Sequence, residues 1–397
     1  MNARRKQSSS APEPGLRPAA RIRRLRLTNF RSYRSADLRF QDGPIVFLGD
    51  NGAGKTNILE AISFLAPGRG LRRATLEDVA SSDGDGSWAV AATIDGADGE
   101  IQLGTGIEAP LADETPSRRS RIAQENVASS TQFADHLRVV WLVPEMDGIF
   151  LGPAGERRRF LDRLVLAIDT RHSARVSAFE RALRSRNRLL EEGVSDARYL
   201  DAVEHEVAEL AVAVVAARAE CVERLRVEID AARDPGSLFP AAGLFLDGWM
   251  EKAVRETPAI ELEDKYRAVL RENRERDRAA GRTLEGPHRS DLVLTHRDKS
   301  IPAARASTGE RKALLVGVVV SHARLVAAMH GHAPVMLLDD VAAFLDAARR
   351  DALFDLLARF GAQVFMTGVD EPSFEALGQS AERFRVVPGK VQPMNRP

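Results

Sequence analysis

The chain has 397 residues, too many for one ordinary compact core, and 44% of them are apolar, ample material for two lobes. Lysine plus arginine and aspartate plus glutamate stand at 57 each, so the net charge is zero, overall charge gives no argument for nucleic acid, and any basic surface must be local. A single cysteine, Cys221, excludes a disulfide framework and reads as a small core residue of a protein kept reduced in the cytoplasm.

In chain order, Met1–Ala20 carries Arg, Ser and Pro but no apolar stretch, and reads as a disordered tail, neither signal nor anchor. Arg23–Asn29 alternates apolar and basic residues as a half-buried strand does. Ile45–Leu48 is a buried strand ending in a Gly-rich turn, and Asn57–Leu65 is a helix. Trp88–Ile94 and Ile101–Gly106 form a hairpin, Glu108–Ser120 a loop, and Val139–Val143 another buried strand. From Glu156 to about Arg233 Pro and Gly nearly vanish, and Leu161, Leu164, Val165 and Ile168 recur at helical spacing. Gly193 is the main break, and Asp196–Arg233 predicts one helix of roughly 57 Å. Leu262–Ala280 is a further charged helix. An α/β pattern resumes at Leu292–Leu294, with strands at Pro334–Leu338, Gln363–Met366 and Phe384–Val387. The longest apolar runs, such as Leu314–Val320, are far shorter than the ~20 residues of a membrane span, so no membrane is expected. The expected division is a tail over 1–20, an α/β domain over 21–150, an inserted helical arm over 151–281, and the rest of the α/β domain over 282–397.

Gly49-Asp50-Asn51-Gly52-Ala53-Gly54-Lys55-Thr56 matches the phosphate loop G-x-x-x-x-G-K-[ST] between a buried strand and a helix. Its glycines let backbone amides face phosphates, and the helix N-terminus adds partial positive charge. Lys55 would bridge the β- and γ-phosphates of ATP, and Thr56 would ligate Mg²⁺. Val335–Leu338 predicts a central strand that ends in two acids, Asp339 and Asp340. Asp339 would hold the Mg²⁺, and Asp340 would polarise the attacking water. Nearly 280 residues separate the two motifs, with the long helical insertion between them. Ser307-Thr308-Gly309-Glu310-Arg311 precedes the acidic strand and resembles the ABC signature, in which Ser307, Gly309 and Glu310 would meet the nucleotide of a second subunit. The same residues also read as an ordinary helix cap. Val341–Asp346 is similar to the ABC D-loop, with Asp346 reaching across the dimer interface. Thr367 stands where transporter ATPases usually carry a switch histidine, which argues against the transporter branch.

These motifs in this order resemble the RecF family, short relatives of the SMC proteins. Leu27-Thr28-Asn29-Phe30-Arg31-Ser32-Tyr33 is similar to the first strand of RecF and SMC heads. Pro67-Gly68-Arg69-Gly70-Leu71-Arg72-Arg73 resembles a basic segment of the family. Val143-Pro144-Glu145 with Gly155–Asp162, and Gly286–Leu292, resemble the segments leading into and out of the helical lobe. Ser290 departs from the acid more usual there, and Glu145 is a candidate sensor of ATP between lobes. An arm of roughly 57 Å is too short for a true SMC coiled coil.

The resemblance implies an ABC/SMC-type P-loop ATPase head with an inserted α-helical arm. It implies weak ATP hydrolysis and an ATP-dependent homodimer that binds DNA at single-strand gaps and duplex junctions. It further implies action with RecO and RecR to place RecA at gaps, in the nucleoid of the cytoplasm. Arg69, Arg72 and Arg73 are the candidate DNA contacts, with Arg157–Arg159 behind them; a solvated charged face is the plain alternative for both groups. The competing reading is another short SMC-like ATPase of DNA repair or defence.

Overall fold

The structure is a computed structural model that describes residues 20–96, 99–109, 116–193, 197–234 and 236–394. The tail expected over 1–20 lies outside the described residues, Ala20 excepted. The chain divides into two compact units. One takes its residues from Met1–Pro144 and Ala323–Pro397, the other from Glu145–His322.

The first unit holds two sheets. One is antiparallel, in the order β2 (Tyr33–Arg39), β1 (Arg21–Phe30), β4 (Trp88–Gly96), β5 (Gly99–Ile107), β6 (Arg119–Ile122), β7 (Glu125–Val127). In β1, Leu25 and Leu27 face inward while Arg26 and Thr28 face solvent, the alternation expected of a strand buried on one side. The other sheet runs β15 (Lys390–Pro393), β14 (Glu382–Val387), β3 (Ile45–Leu48), β13 (Val364–Gly368), β12 (Val335–Leu338), β8 (Val139–Leu142). From β14 to β8 it is parallel, and β15 adds an antiparallel edge. Strands β3, β12 and β8 are buried at every residue, so they read as unbroken apolar runs. The first helix, α1 (Lys55–Ser63), packs on both β1 and β13. Gln363 joins the two sheets, its side chain accepting from Ile22 N at 2.7 Å and donating to Ile22 O at 3.0 Å. Helices α9 (Val341–Phe344) and α10 (Ala347–Phe360) follow β12.

The second unit contains α2 (Ala154–Ile168), α3 (His172–Glu191), α4 (Ala197–Ala231), α5 (Trp249–Ala253), α6 (Ala259–Glu272), α7 (Arg274–Ala280) and the start of α8 (Thr308–His330). Phe179, Val207, Ala211, Val215, Leu262 and Tyr266 form its core, where α3 and α6 pack on α4. A small antiparallel sheet orders β11 (Ile301–Pro302), β10 (Asp291–His296) and β9 (Ala242–Asp247).

Three expectations need correction. The arm over 151–281 is not purely helical, because β9 lies within it and pairs with β10. The helix expected over Leu262–Ala280 is two helices broken at Asn273, whose side chain donates to Val269 O at 2.9 Å. Arg119 and Ser120 belong to β6 rather than to a loop. Helix α8 is long and apolar enough to cross a membrane, by length and composition alone, although most of its apolar stretch is buried within the protein.

An ionic network lies inside the second unit. Arg186 is fully buried and donates to Glu204 at 3.0 Å, to Asp277 and Thr283 at 2.7 Å, and to Leu270 O at 2.6 Å. Removing one member of such a set strands a buried charge. Arg186→Met should therefore cost about 3–5 kcal/mol, measured by urea unfolding. Arg188→Ala, at the exposed Arg188–Glu192 pair, should cost under about 0.5 kcal/mol. Equal costs would show that burial does not govern these pairs.

Two histidines of the same unit are neutral, His322 buried and His288 half-buried. His288 shares a 2.9 Å hydrogen bond with Thr283 O and His322 one with Leu164 O, and burial lowers both pKa values to about 4. A lowered folded pKa means that the unfolded chain binds protons first. Their contribution is complete above about pH 6.5 and falls as the pH drops toward 4, by up to about 1.4 kcal/mol per unit for each ring. Urea midpoints between pH 7 and 4.5 should fall accordingly. His288→Gln with His322→Gln should flatten the slope, and an unchanged slope would contradict the assignment.

Candidate nucleotide site

Parallel register brings the functional residues to one edge. Leu48 pairs with Gly368 and Leu338 with Met366, so Gly49, Asp339 and Thr367 all emerge at the C-terminal ends of neighbouring strands. There a cleft of roughly 240 Å³ is lined by Asn51, Gly52, Gly54–Asn57, Arg72, Pro144, Asp339, Asp340 and Thr367.

Two glycines of the loop are required by the fold. A Cβ on Gly49 would sit 2.2 Å from Val386 O of the adjacent strand. Gly54 has φ 105°, left-handed space that L-residues avoid, and caps α1. Its carbonyl accepts from Tyr33 Oη at 3.0 Å, which ties the β1–β2 turn to the loop. Burial pushes the Tyr33 phenol pKa upward, so it stays a donor.

Lys55 Nζ donates to Gly49 O at 2.7 Å and to Asp50 O at 2.8 Å, which fixes the ammonium inside the loop. Burial lowers its pKa, against the pull of Asp340, Asp339 and Asp50. Thr56 Oγ1 lies 2.9 and 3.0 Å from the two oxygens of Asp339, joining side chains 283 residues apart. Thr367 Oγ1 donates to Asp339 Oδ1 at 2.7 Å and accepts from Asp340 N at 2.7 Å. Asp340 itself holds φ 48° and ψ 36°.

Residues outside the motifs support this edge. Glu60 on α1 is fully buried, with Arg31 Nε and Nη2 on its two oxygens at 2.9 and 2.8 Å and Arg72 Nη1 at 3.2 Å. Arg72 also donates to Asn57 at 2.7 Å, and Asn57 donates to Ser32 at 2.9 Å. Arg118 donates to Phe64 O, to Gly68 O at 2.6 Å and to Thr105 at 2.8 Å, and stacks over the Phe64 ring. Burial lowers its pKa to about 10, and its bonds pin the turn that leads to Arg72. Neither Glu60 nor Arg118 is among the residues predicted from the sequence. An acid inside Ile58-Leu59-Glu60-Ala61-Ile62 was the available signal for the first; Arg118 offers none.

Other expected site residues stand elsewhere. Arg69, Arg72 and Arg73 are all exposed, and Arg72 also lines the cleft. Arg157 is engaged internally, clasping Asp291 through two bonds of 2.8 and 2.7 Å, and Arg158 donates to Ser290 O at 2.7 Å. Asp346 caps α10, accepting from Arg349 N at 2.9 Å. Ser307 and Glu310 belong to the second unit and form a reciprocal cap: Ser307 N donates to Glu310 at 3.0 Å, and Glu310 N to Ser307 Oγ at 3.3 Å. The Lys299 ammonium, with the Ser307 amide and hydroxyl, holds the Glu310 carboxyl down at about 2.

Residues 21–390 match the family described as RecF/RecN/SMC N terminal domain. A protein of Allorhizobium ampelinum named DNA replication and repair protein RecF is 52% identical over 370 residues, 93% of this chain and 98% of that protein. One of the same name in Mesorhizobium japonicum is 51% identical over 372 residues, 94% of this chain and 97% of that protein. Among solved structures, the recombination mediator protein RecF-ATPrS in the RecFOR pathway superposes with a TM-score of 0.84 at 21% identity, covering 96% of this chain and all of that one. An Smc head domain from Pyrococcus furiosus does so at 0.52 and 16% identity, covering 94% and 96%. These last two likenesses show the fold: an α/β head of the ABC/SMC type.

Glu60→Gln keeps the shape at the Arg31–Glu60–Arg72 contact and removes its charge. The expected cost is roughly 1.5–3 kcal/mol, toward the lower end because Arg72 is 37% exposed. Urea unfolding measures it, and an unchanged midpoint would show that the carboxylate does not hold the two arginines.

Proposed function

The chain belongs to the RecF family, and from that premise we propose that it is an ATP-dependent DNA-binding protein of DNA replication and recombinational repair. The observation that carries the reading is the hydroxyl–carboxylate cluster of Thr56, Asp339 and Thr367 beside Lys55. It unites the phosphate loop with the acidic strand at the mouth of one cleft. The name shared by its relatives, and the description of their structural counterpart with ATPrS, support it.

In this reading the loop amides and the third hydrogen of Lys55 bind the β- and γ-phosphates of ATP. Thr56 and Asp339 offer hard oxygen donors at the cleft edge, which fit Mg²⁺, an ion that takes one or two protein oxygens and fills its shell with water and phosphate. When bound it neutralises charge on the phosphate oxygens. Asp340 orients and polarises the attacking water, and the weak hydrolysis that the family resemblance implies serves as a switch. Ser307, Gly309 and Glu310 of one copy meet the nucleotide of a second, with Asp346 at that junction, and the closed homodimer grips DNA at single-strand gaps or duplex junctions. Arg69, Arg72 and Arg73 are its exposed candidate contacts. RecO and RecR are the partners, RecA loading the outcome, and the cytoplasmic nucleoid the place.

The test is retention of gapped DNA with and without a slowly hydrolysed ATP analogue, together with binding of a fluorescent ATP derivative. The wild type should hold DNA only with the analogue. Lys55→Met should bind neither the derivative nor, in consequence, DNA. Nucleotide-independent retention, or normal nucleotide affinity in Lys55→Met, would overturn the proposal.

A further inference from the structure

Thr367 is fully buried at the end of β13, and its hydroxyl joins both acids of the neighbouring strand. The direction of each bond is fixed by chemistry. The Asp340 amide can only donate, so Thr367 Oγ1 accepts from it at 2.7 Å; its own single proton then goes to Asp339 Oδ1, also at 2.7 Å. Asp340 sits at φ 48° and ψ 36°, a region that residues other than glycine seldom enter. Such a conformation persists only when its surroundings impose it. On the main chain, Asp340 O accepts from Ala343 N at 3.1 Å, within the turn that follows. Thr367 supplies the anchor from across the sheet.

We propose that Thr367 is the positioning residue of ATP hydrolysis, holding the Asp340 peptide in its left-handed turn so that the acid faces the water while Asp339 is kept at the metal edge. This deepens, and rests on, the reading of the cleft as an ATPase site. The hydroxyl needs no charge and no titration to do so, which distinguishes it from a histidine in the same role.

Thr367→Val keeps the shape and removes both bonds, and Thr367→Ser keeps the bonds. The valine variant should lose turnover by about 10²-fold, the scale of a misplacement near 1 Å. Its Mg²⁺-free affinity for the fluorescent ATP derivative should stay within about twofold of wild type, because the loop amides and Lys55 are untouched. The serine variant should recover most of the turnover. Thr367→Val added to Asp340→Asn should lower turnover by much less than the product of the two single losses, since most of the hydroxyl's effect runs through that acid. Wild-type turnover in Thr367→Val, a serine variant as slow as the valine one, or additive losses in the double variant would each overturn the proposal while leaving the ATPase reading standing. Wild-type turnover in Asp340→Asn would instead remove the assigned role of Asp340, and this proposal with it.

Discussion

In a parallel sheet all strands end on the same side, and side chains alternate between faces with a period of two. A one-residue slip of β13 against β12 would turn Thr367 away from Asp339 and leave a buried carboxylate with one partner fewer. The pairing of Met366 with Leu338 therefore fixes the cleft as surely as the phosphate loop does. Register itself is secured by burial. The residues of β3, β12 and β13 are all buried, and the rings of Phe40, Phe47, Phe365 and Phe384 interlock at centroid distances of 5.0 to 6.4 Å. Aromatic contacts of this kind tolerate little sliding.

A second layer of control surrounds α1. Its buried flank is mostly apolar but carries Glu60, which draws Arg31 from the β1–β2 turn and Arg72 from the segment after the helix. Arg118 completes the arrangement by taking the carbonyls at the helix end, where a cation is favoured by the helix dipole. The phosphate loop is thus held at both ends of one helix: by Tyr33 on Gly54 at the start, and by Arg118 at the finish.

Much of this was legible in the chain itself. The phosphate loop announces itself because its glycines answer local backbone demands, and the strands of the parallel sheet do so because burial on both faces removes polar residues. What stayed hidden depends on distant partners. Thr367 was noted only as a missing histidine, since its bonds to Asp339 and Asp340 exist only once β13 lies beside β12. Arg72 reads as one of three candidate DNA contacts, and a string of arginines gives no sign of the bonds it also makes to Asn57 and Glu60. Strand β9 escaped notice inside a helical stretch, because its pairing partner β10 comes much later in the chain. The Ser307 segment remains the instructive case: its cap geometry satisfies the ordinary reading fully, and the assignment to a partner's nucleotide rests on the family.

The buried set around Arg186 has a consequence for how this sequence can drift. Glu204 is shared between Arg186 and Arg274, and Asp277 accepts both from Arg186 and from the Leu284 amide. Any single change passes through an ancestor carrying an orphaned charge, at a cost of several kcal/mol. That is a large part of the roughly 5–15 kcal/mol by which a domain exceeds its unfolded state. Arg186, Glu204 and Asp277 should accordingly be inherited as a block, lost or kept together across lineages, while the exposed ion pairs of the same helices turn over freely.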